Sequence, residues 1–410
     1  MSMNPPRWRA MLYAALAALS LPAPAADAKI VFDWQATAQE VLKPAQGLRR
    51  SRAGLLADLA VFNALNAIEP RYRSYGPELQ AQPDASPEAA VAAATWGVLS
   101  AEPLLDHTRL ARSYNEAIAK LPEGPARNAG VSLGLRAAAT LLALRAGDSF
   151  DRVEAPALAA APGVHQPIPG RKMPNRLPKE PLRPFAVASI EPFDPGPPPA
   201  HDSPEARRAM TEAKSIGARD SATRSADQTA AALFWNSGED SDMDELVKGL
   251  ITERGWSALE TARFAALASL SAFDSRIMGM EFKRRYAAWR PMTAIRSPFA
   301  PEALRDPAWE PLALPPTDPD YPSGGATGAG LFDVWFAVLQ PRSIKYFNST
   351  TGQTRQFATA DAMATELANA RVWAGIHTRY AIDAGRRMGR RLAEEVFATQ
   401  LPALPAPAGR

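Results

Sequence analysis

Apolar residues recur along this chain at intervals of three and four rather than at alternate positions. Leu55, Leu59, Phe62 and Leu65 set that rhythm between Ser51 and Tyr72, with Pro70 near the end of the segment. Pro87 to Leu99 is alanine-rich and opens on a proline, which suits a first helical turn whose N–H groups have no intrahelical acceptor. Arg127 to Arg145 carries Leu133, Leu135, Leu141, Leu142 and Leu144 and stops near Gly147. These segments predict an N-terminal helical domain over 29–154. Helix resumes after Asp202-Ser203-Pro204, a capping residue followed by proline. Long helical stretches are expected from Met243 to Trp289, one helix from near Gly325 to Leu339, and a last one from about Tyr380 to Phe397. Period-two strand signals are scarce. The expected fold class is all-α, two packed helical bundles, the second over 205–400.

Between the two bundles the pattern breaks. From 155 to 204 prolines recur, ending in Pro197-Pro198-Pro199, and exclude both a regular helix and a central strand. The segment is too long for an ordinary connection. Phe185, Val187, Ile190 and Phe193 predict an extended strap docked on the protein, because a free linker has little use for large apolar groups. Residues 401–410, with three prolines, are expected to form a loose tail.

Composition narrows the chemistry. Hydrophobic residues make up 46% of the 410, enough for a substantial core. Lys and Arg number 46 against 43 acidic residues, a near balance that argues against a nucleic-acid partner. With no cysteine, disulfides, zinc–thiolate sites and thiol nucleophiles are excluded. Histidine chemistry is confined to His107, His165, His201 and His377. Arg7 and Arg9, the apolar run Ala10–Leu21 and small residues up to Ala28 read as a signal peptide over 1–28, cleaved after Ala25 or after Ala28. The expectation is therefore a periplasmic or secreted protein with no membrane span after cleavage.

Three short constellations carry candidate chemistry. Lys283-x6-Arg290-Pro291 places two cations about two helical turns apart, on one side, with Pro291 ending the element. Tyr321-Pro322-Ser323-Gly324-Gly325 sets a hydroxyl and free backbone N–H groups at the start of an apolar helix, which favours an anion. Arg371-x5-His377 joins a guanidinium, suited to two-pronged binding of an oxyanion, to an imidazole able to attack phosphorus or ligate a metal. Each alone is equally compatible with a solvated helix face, an ordinary cap or a core histidine.

Together, in order and spacing, they resemble the three-part signature of the vanadium-dependent haloperoxidase and type 2 phosphatidic acid phosphatase superfamily. Pro291-Met292-Thr293-Ala294-Ile295-Arg296 and Pro319-Asp320-Tyr321-Pro322 are similar to its soluble bacterial haloperoxidase branch, as are, less specifically, Phe62-Asn63-Ala64-Leu65-Asn66-Ala67-Ile68 and Arg183-Pro184-Phe185. The resemblance implies an oxyanion pocket for vanadate or phosphate. In it Lys283, Arg290 and Arg371 neutralise oxygens, Ser323 and the Gly324 N–H donate to them, and His377 is the vanadium ligand or the phosphate nucleophile. It also implies a small-molecule substrate and, from its relatives' habit, a homodimer.

The chain departs from that signature at Gly325, where the resemblance calls for an acid–base histidine. The loss of such a group costs on the order of 10²–10⁴ in rate. Ala370 stands where a serine is usual, and Ala381 where a carboxylate is often found. Asp383 is a poorly spaced candidate to orient His377. Asp320 and Tyr321 lie nearest to the missing group along the chain, and a strap crossing the pocket could bring in His165 or His201. Three functions remain open: a haloperoxidase, a periplasmic phosphomonoesterase working through His377, and a non-catalytic oxyanion-binding protein.

Overall fold

The computed structural model describes residues 26–405, apart from 46, 104, 149–151, 155–157, 172–175, 179–181 and 238–239. The expected signal sequence up to Ala25 lies outside the described residues. Ala26–Ala28 are built into the fold: Asp27 pairs with Ser257, and Ala258 N–H donates to the Ala26 carbonyl at 2.8 Å.

The first half consists of α1 (Lys29–Val41), α2 (Gly47–Ile68), α3 (Pro87–Leu99), α4 (His107–Ala119) and α5 (Pro125–Leu144). α3 begins where the sequence predicts, since Ser86 Oγ accepts the Ala89 N–H at 3.2 Å and Pro87 fills the first turn. Then come the short strands β1 (Arg152–Glu154) and β2 (Arg176–Pro178), an antiparallel pair. The second half follows the same helical logic: α6 (Pro204–Ile216), capped by Ser203, α7 (Ala226–Ser237), α8 (Asp240–Arg254) and α9 (Ala258–Tyr286). The helical stretches expected from Met243 are divided where Gly255 takes φ +65° and Ser257 starts a new helix with a reciprocal cap to Glu260. α10 (Pro291–Arg296), α11 (Gly324–Leu339), the antiparallel hairpin β3 (Ile344–Asn348) and β4 (Gln353–Phe357), α12 (Ala360–Trp373) and α13 (Arg379–Thr399) complete the chain. The fold is all-α among the described residues apart from two short hairpins, and none of its helices is long and apolar enough to cross a membrane.

Two cores meet on one helix. α9 gives Leu259, Leu267, Leu270, Phe273 and Phe282 to the core of α1–α5, and Phe264 to a second core with Phe234, Phe336, Tyr346, Met363 and Leu367. The strap docks as expected. Phe185 and Phe193 are buried in the first core, with Val187 and Ile190 packed against it. The Asp274 carboxylate on α9 holds it by accepting the backbone N–H groups of Phe185, Ala186 and Val187 at 2.7, 2.8 and 3.3 Å. Burial pushes this carboxyl up to about 6 against the pull of those three donors. Asp274→Ala leaves three part-buried donors without an acceptor, so urea denaturation is expected to show a loss of about 3 kcal/mol or more. Asp274→Asn, which keeps one acceptor oxygen, should lose less.

The chain end corrects the expectation of a tail from Leu401. Leu401 is buried in the first core, Arg73 N–H donates to the Pro402 carbonyl at 2.9 Å, and Leu404 N–H to the Arg71 carbonyl at 2.8 Å. Residues 406–410 lie outside the described residues.

Candidate oxyanion-binding site

The three constellations come together where α9 ends and α11 and α13 begin. Lys283 sits in the last turn of α9. The helix stops at Ala287, in the left-handed region at φ 42°, and Arg290 follows in extended backbone as the residue before α10. Lys283 and Arg290 therefore meet through a bend, and not along one continuous helix face as the spacing suggests. Ser323 caps α11, its Oγ accepting the Ala326 N–H at 3.4 Å, and Gly324 starts that helix at the surface. Arg371 lies in the last turn of α12. Its carbonyl accepts the N–H groups of Ile376 and His377 at 3.1 and 3.3 Å, which folds the chain back and sets the imidazole beside it. Gly375 makes that turn with φ 74°, and a Cβ there would come within 2.4 Å of the Gly217 carbonyl oxygen.

The loop Thr317–Asp320 fastens these parts to one another. Arg290, fully buried, donates from Nε to the Asp318 carbonyl at 2.7 Å, from Nη2 to Asp318 Oδ1 at 2.7 Å, and from Nη1 to the Ile376 carbonyl at 2.7 Å. The same Nη1 faces His377 Nε2 at 3.2 Å. Lys283 Nζ donates to the Pro319 carbonyl and lies 3.3 Å from Asp318 Oδ2. Asp320, fully buried, accepts from His377 Nδ1 at 2.7 Å and from the Thr378 hydroxyl at 2.6 Å.

That geometry sets the protonation of His377. An arginine N–H can only donate, so Nε2 presents a lone pair, and the proton resides on Nδ1 facing Asp320. Burial first, and Arg290 second, push the imidazole down to about 4, so it is neutral across ordinary pH. Burial also lowers Lys283. Burial opposes ionisation of Asp318, but Lys283 and Arg290 outweigh it and hold the carboxyl well below the usual range.

Arg371 is the cation with capacity to spare. One terminal nitrogen donates to Asn236 Oδ1 at the end of α7, while its buried Nε has no partner. Burial, then Arg290, brings this guanidinium down to about 10. It lies over Gly325: a Cβ at that position would fall 2.6 Å from Nε and 2.9 Å from Cζ. The space of the missing side chain is thus partly taken by Arg371.

The structure joins Lys283, Arg290 and His377 through Asp318, Pro319 and Asp320 and lays Arg371 over Gly325, the residue after Ser323 and Gly324, although Lys283 and Arg290 already hold internal partners. Of the other candidates, Asp320 orients His377. Asp383 makes no hydrogen bond to it and stands exposed on α13 among Arg379, Arg387 and Glu212. Tyr321 is buried, and its hydroxyl bonds to the strap at the Gly196 carbonyl, 3.0 Å away. His107 is exposed at the start of α4 and His201 packs edge-on to Trp289. His165 is the one the strap brings close. It is 3% exposed, its N–H donates to the Ala287 carbonyl, and its Nε2 lies 3.0 Å from the Thr317 carbonyl. Its buried Nδ1 has no partner, and it feels the charges of Arg290, Asp318 and Lys283. Sequence reasoning missed Asp318 and Asn236. The only signal for the first was an acidic pair straddling Pro319 just ahead of the serine motif.

The donor set fits an oxyanion. Among the described residues no cluster of three or more His, Asp and Glu could chelate a bare metal ion. Three cations, one of them with an unpaired buried guanidinium nitrogen, and a helix N-terminus are what these segments supply instead.

Comparison with known proteins bears on the fold that carries these residues. Residues 263–402 match the family model of the VCPO second helical-bundle domain. The fold is similar to that of the first bacterial vanadium-dependent iodoperoxidase (TM-score 0.77, 21% identity, 93% of this chain and 98% of that one). It is also similar to a holo-type bacterial vanadium-dependent chloroperoxidase (TM-score 0.68, 15% identity, 91% and 97%). No curated protein matches the sequence. The chain thus resembles the bacterial vanadium-dependent haloperoxidases, in sequence across the helices that carry the site and in fold over nearly its whole length.

Proposed function

We propose that this protein binds a tetrahedral oxyanion, vanadate or phosphate, among Lys283, Arg290, Ser323, Gly324 and Arg371 beside His377, and that with vanadate it oxidises halide with hydrogen peroxide. The observation that carries this reading is the placement of His377 between Asp320 and Arg290. With Asp320 accepting the Nδ1 proton, the Nε2 lone pair faces Arg290, and Lys283 is near enough to act on the ring. Vanadate, when bound there, supplies the Lewis acidity that activates peroxide toward halide. The chain's own contribution is to hold and orient. Arg290 and Lys283 neutralise anionic charge, the α11 N-terminus offers N–H donors, Arg371 turns its unpaired nitrogen to the ligand, and His377 presents Nε2 as a ligand atom. Iodide is the halide of choice for the first assay, since it is the easiest to oxidise and asks least of the acid–base group missing at Gly325.

The test is iodide- and bromide-dependent oxidation by the vanadate-loaded protein, with Arg371→Ala as control. Activity that falls by 10²-fold or more in the control supports the reading. A loaded protein that oxidises neither halide counts against it. The same neutral Nε2 would serve as nucleophile in a phosphomonoesterase, so hydrolysis of an aryl phosphate, inhibited by vanadate, would favour that function instead. Binding without turnover in either assay would leave a non-catalytic oxyanion-binding protein, with Gly325 as the physical cause. We place the protein outside the cytoplasm on its signal-like N-terminal sequence, with cleavage after Ala25, since Ala26 and Asp27 bond to Ala258 and Ser257 in the fold.

A further inference from the structure

We infer that Asp318 is an internal counter-anion of the pocket, its carboxylate standing between Lys283 and Arg290 where oxyanion oxygens would bind, and that oxyanion binding displaces it. The inference rests on the oxyanion reading of the site and adds a specificity-determining residue to it. Asp318 Oδ1 lies 2.7 Å from Arg290 Nη2 and Oδ2 lies 3.3 Å from Lys283 Nζ, so one carboxylate spans both cations. Its side chain is half exposed, unlike Asp320, which is fully buried and committed to His377 and Thr378. Asp318 can therefore swing into solvent without uncovering a core, while Arg290 stays anchored by the backbone carbonyls of Asp318 and Ile376.

Two cations side by side in a dry site repel each other unless an anion sits between them. The protein provides one covalently. Any ligand must then replace a carboxylate bound at very high effective concentration, which weakens its apparent affinity by the strength of that internal contact. A doubly charged tetrahedral anion overcomes this threshold more readily than a singly charged one. Arg371, whose buried Nε has no partner, keeps a donor in reserve for the anion.

The experiment compares wild type with Asp318→Asn for binding of inorganic orthovanadate and inorganic phosphate, by equilibrium dialysis and by the ligand-induced rise in thermal midpoint. Asparagine keeps the shape and removes the charge. The variant is expected to bind both anions at least tenfold more tightly, to melt lower than wild type without anion, and to gain more from its addition. A lesion that only damaged the fold would weaken binding, so the direction separates the two cases. Wild type that binds while Asp318→Asn binds equally or more weakly overturns the inference and leaves the oxyanion reading intact. Failure of both proteins to bind either anion removes the oxyanion reading and the inference with it.

Discussion

Gly325→His is expected to raise vanadate-dependent halide oxidation by about 10²-fold or more, the scale of a positioned acid–base group. Position 325 is the second residue of α11, two residues after the capping Ser323 and at the open end of the helix. The obstacle to a side chain there is the Arg371 guanidinium, 2.6–3.0 Å from where a Cβ would lie. That obstacle is the far end of a flexible side chain, tied by one hydrogen bond to Asn236 and carrying an unpaired Nε. Displacing it costs one hydrogen bond from a charged donor, about 1.5–3 kcal/mol. Gly325→Ala separates the two consequences, since it pushes Arg371 equally and brings no proton. The expected pattern is a gain with histidine and little change with alanine, with vanadate affinity retained in both. Equal activity in all three proteins, with binding intact, would mean that more than one catalytic part is missing.

Arg290→Ala is expected to destabilise the protein by about 3–5 kcal/mol in urea denaturation and to abolish oxyanion binding. Arg290 has no exposed surface, and its guanidinium ties its own segment to two others: Asp318 and Pro319 in the loop, and Ile376 and His377 in the turn after α12. Without it the Ile376 carbonyl loses its donor and Asp318 loses the nearer of its two cations. Arg290→Lys keeps the charge but not the planar fork, so it should recover part of the stability and little of the binding. The imidazole gives a second readout in the oxyanion-free protein. His377 is held at about 4 in part by Arg290, below the ordinary 6.5 of histidine, so its contribution to stability is complete above 6.5 and is lost as pH falls through about 4. Removing the neighbouring cation raises the folded value and narrows that acid-labile window. A variant that keeps wild-type stability and the wild-type acid limb would contradict the anchoring role.

The sequence allowed the elements with strong local signals to be placed and left the rest obscure for physical reasons. α3 could be bounded to the residue because serine, proline and an alanine-rich run all act locally. Most of the strap's docking residues were legible as large apolar groups in a proline-rich segment. α1, α4, α7, α10 and α12 went unassigned, and the β3–β4 hairpin has only five residues a side, its alternation visible in burial rather than in composition. The pocket residues were legible because their spacing resembles a known signature. How they are held was not, since Asp320 reaches His377 across 57 residues and Asn236 reaches Arg371 across 135. The same holds for Arg290, whose spacing from Lys283 suggested one helix face, whereas a left-handed Ala287 bends the chain between them.

The position of α9 has a mechanical consequence. Its inner residues belong to both cores, the strap is bound to its Asp274, and its last turn carries Lys283 into the site. The two halves are therefore joined twice, once by peptide bonds through the strap and once by a helix that neither half can give up. A single break in the strap would cut the chain without parting the molecule, and Lys283 and Arg290 would keep their hold on Asp318 on a scaffold made of two pieces.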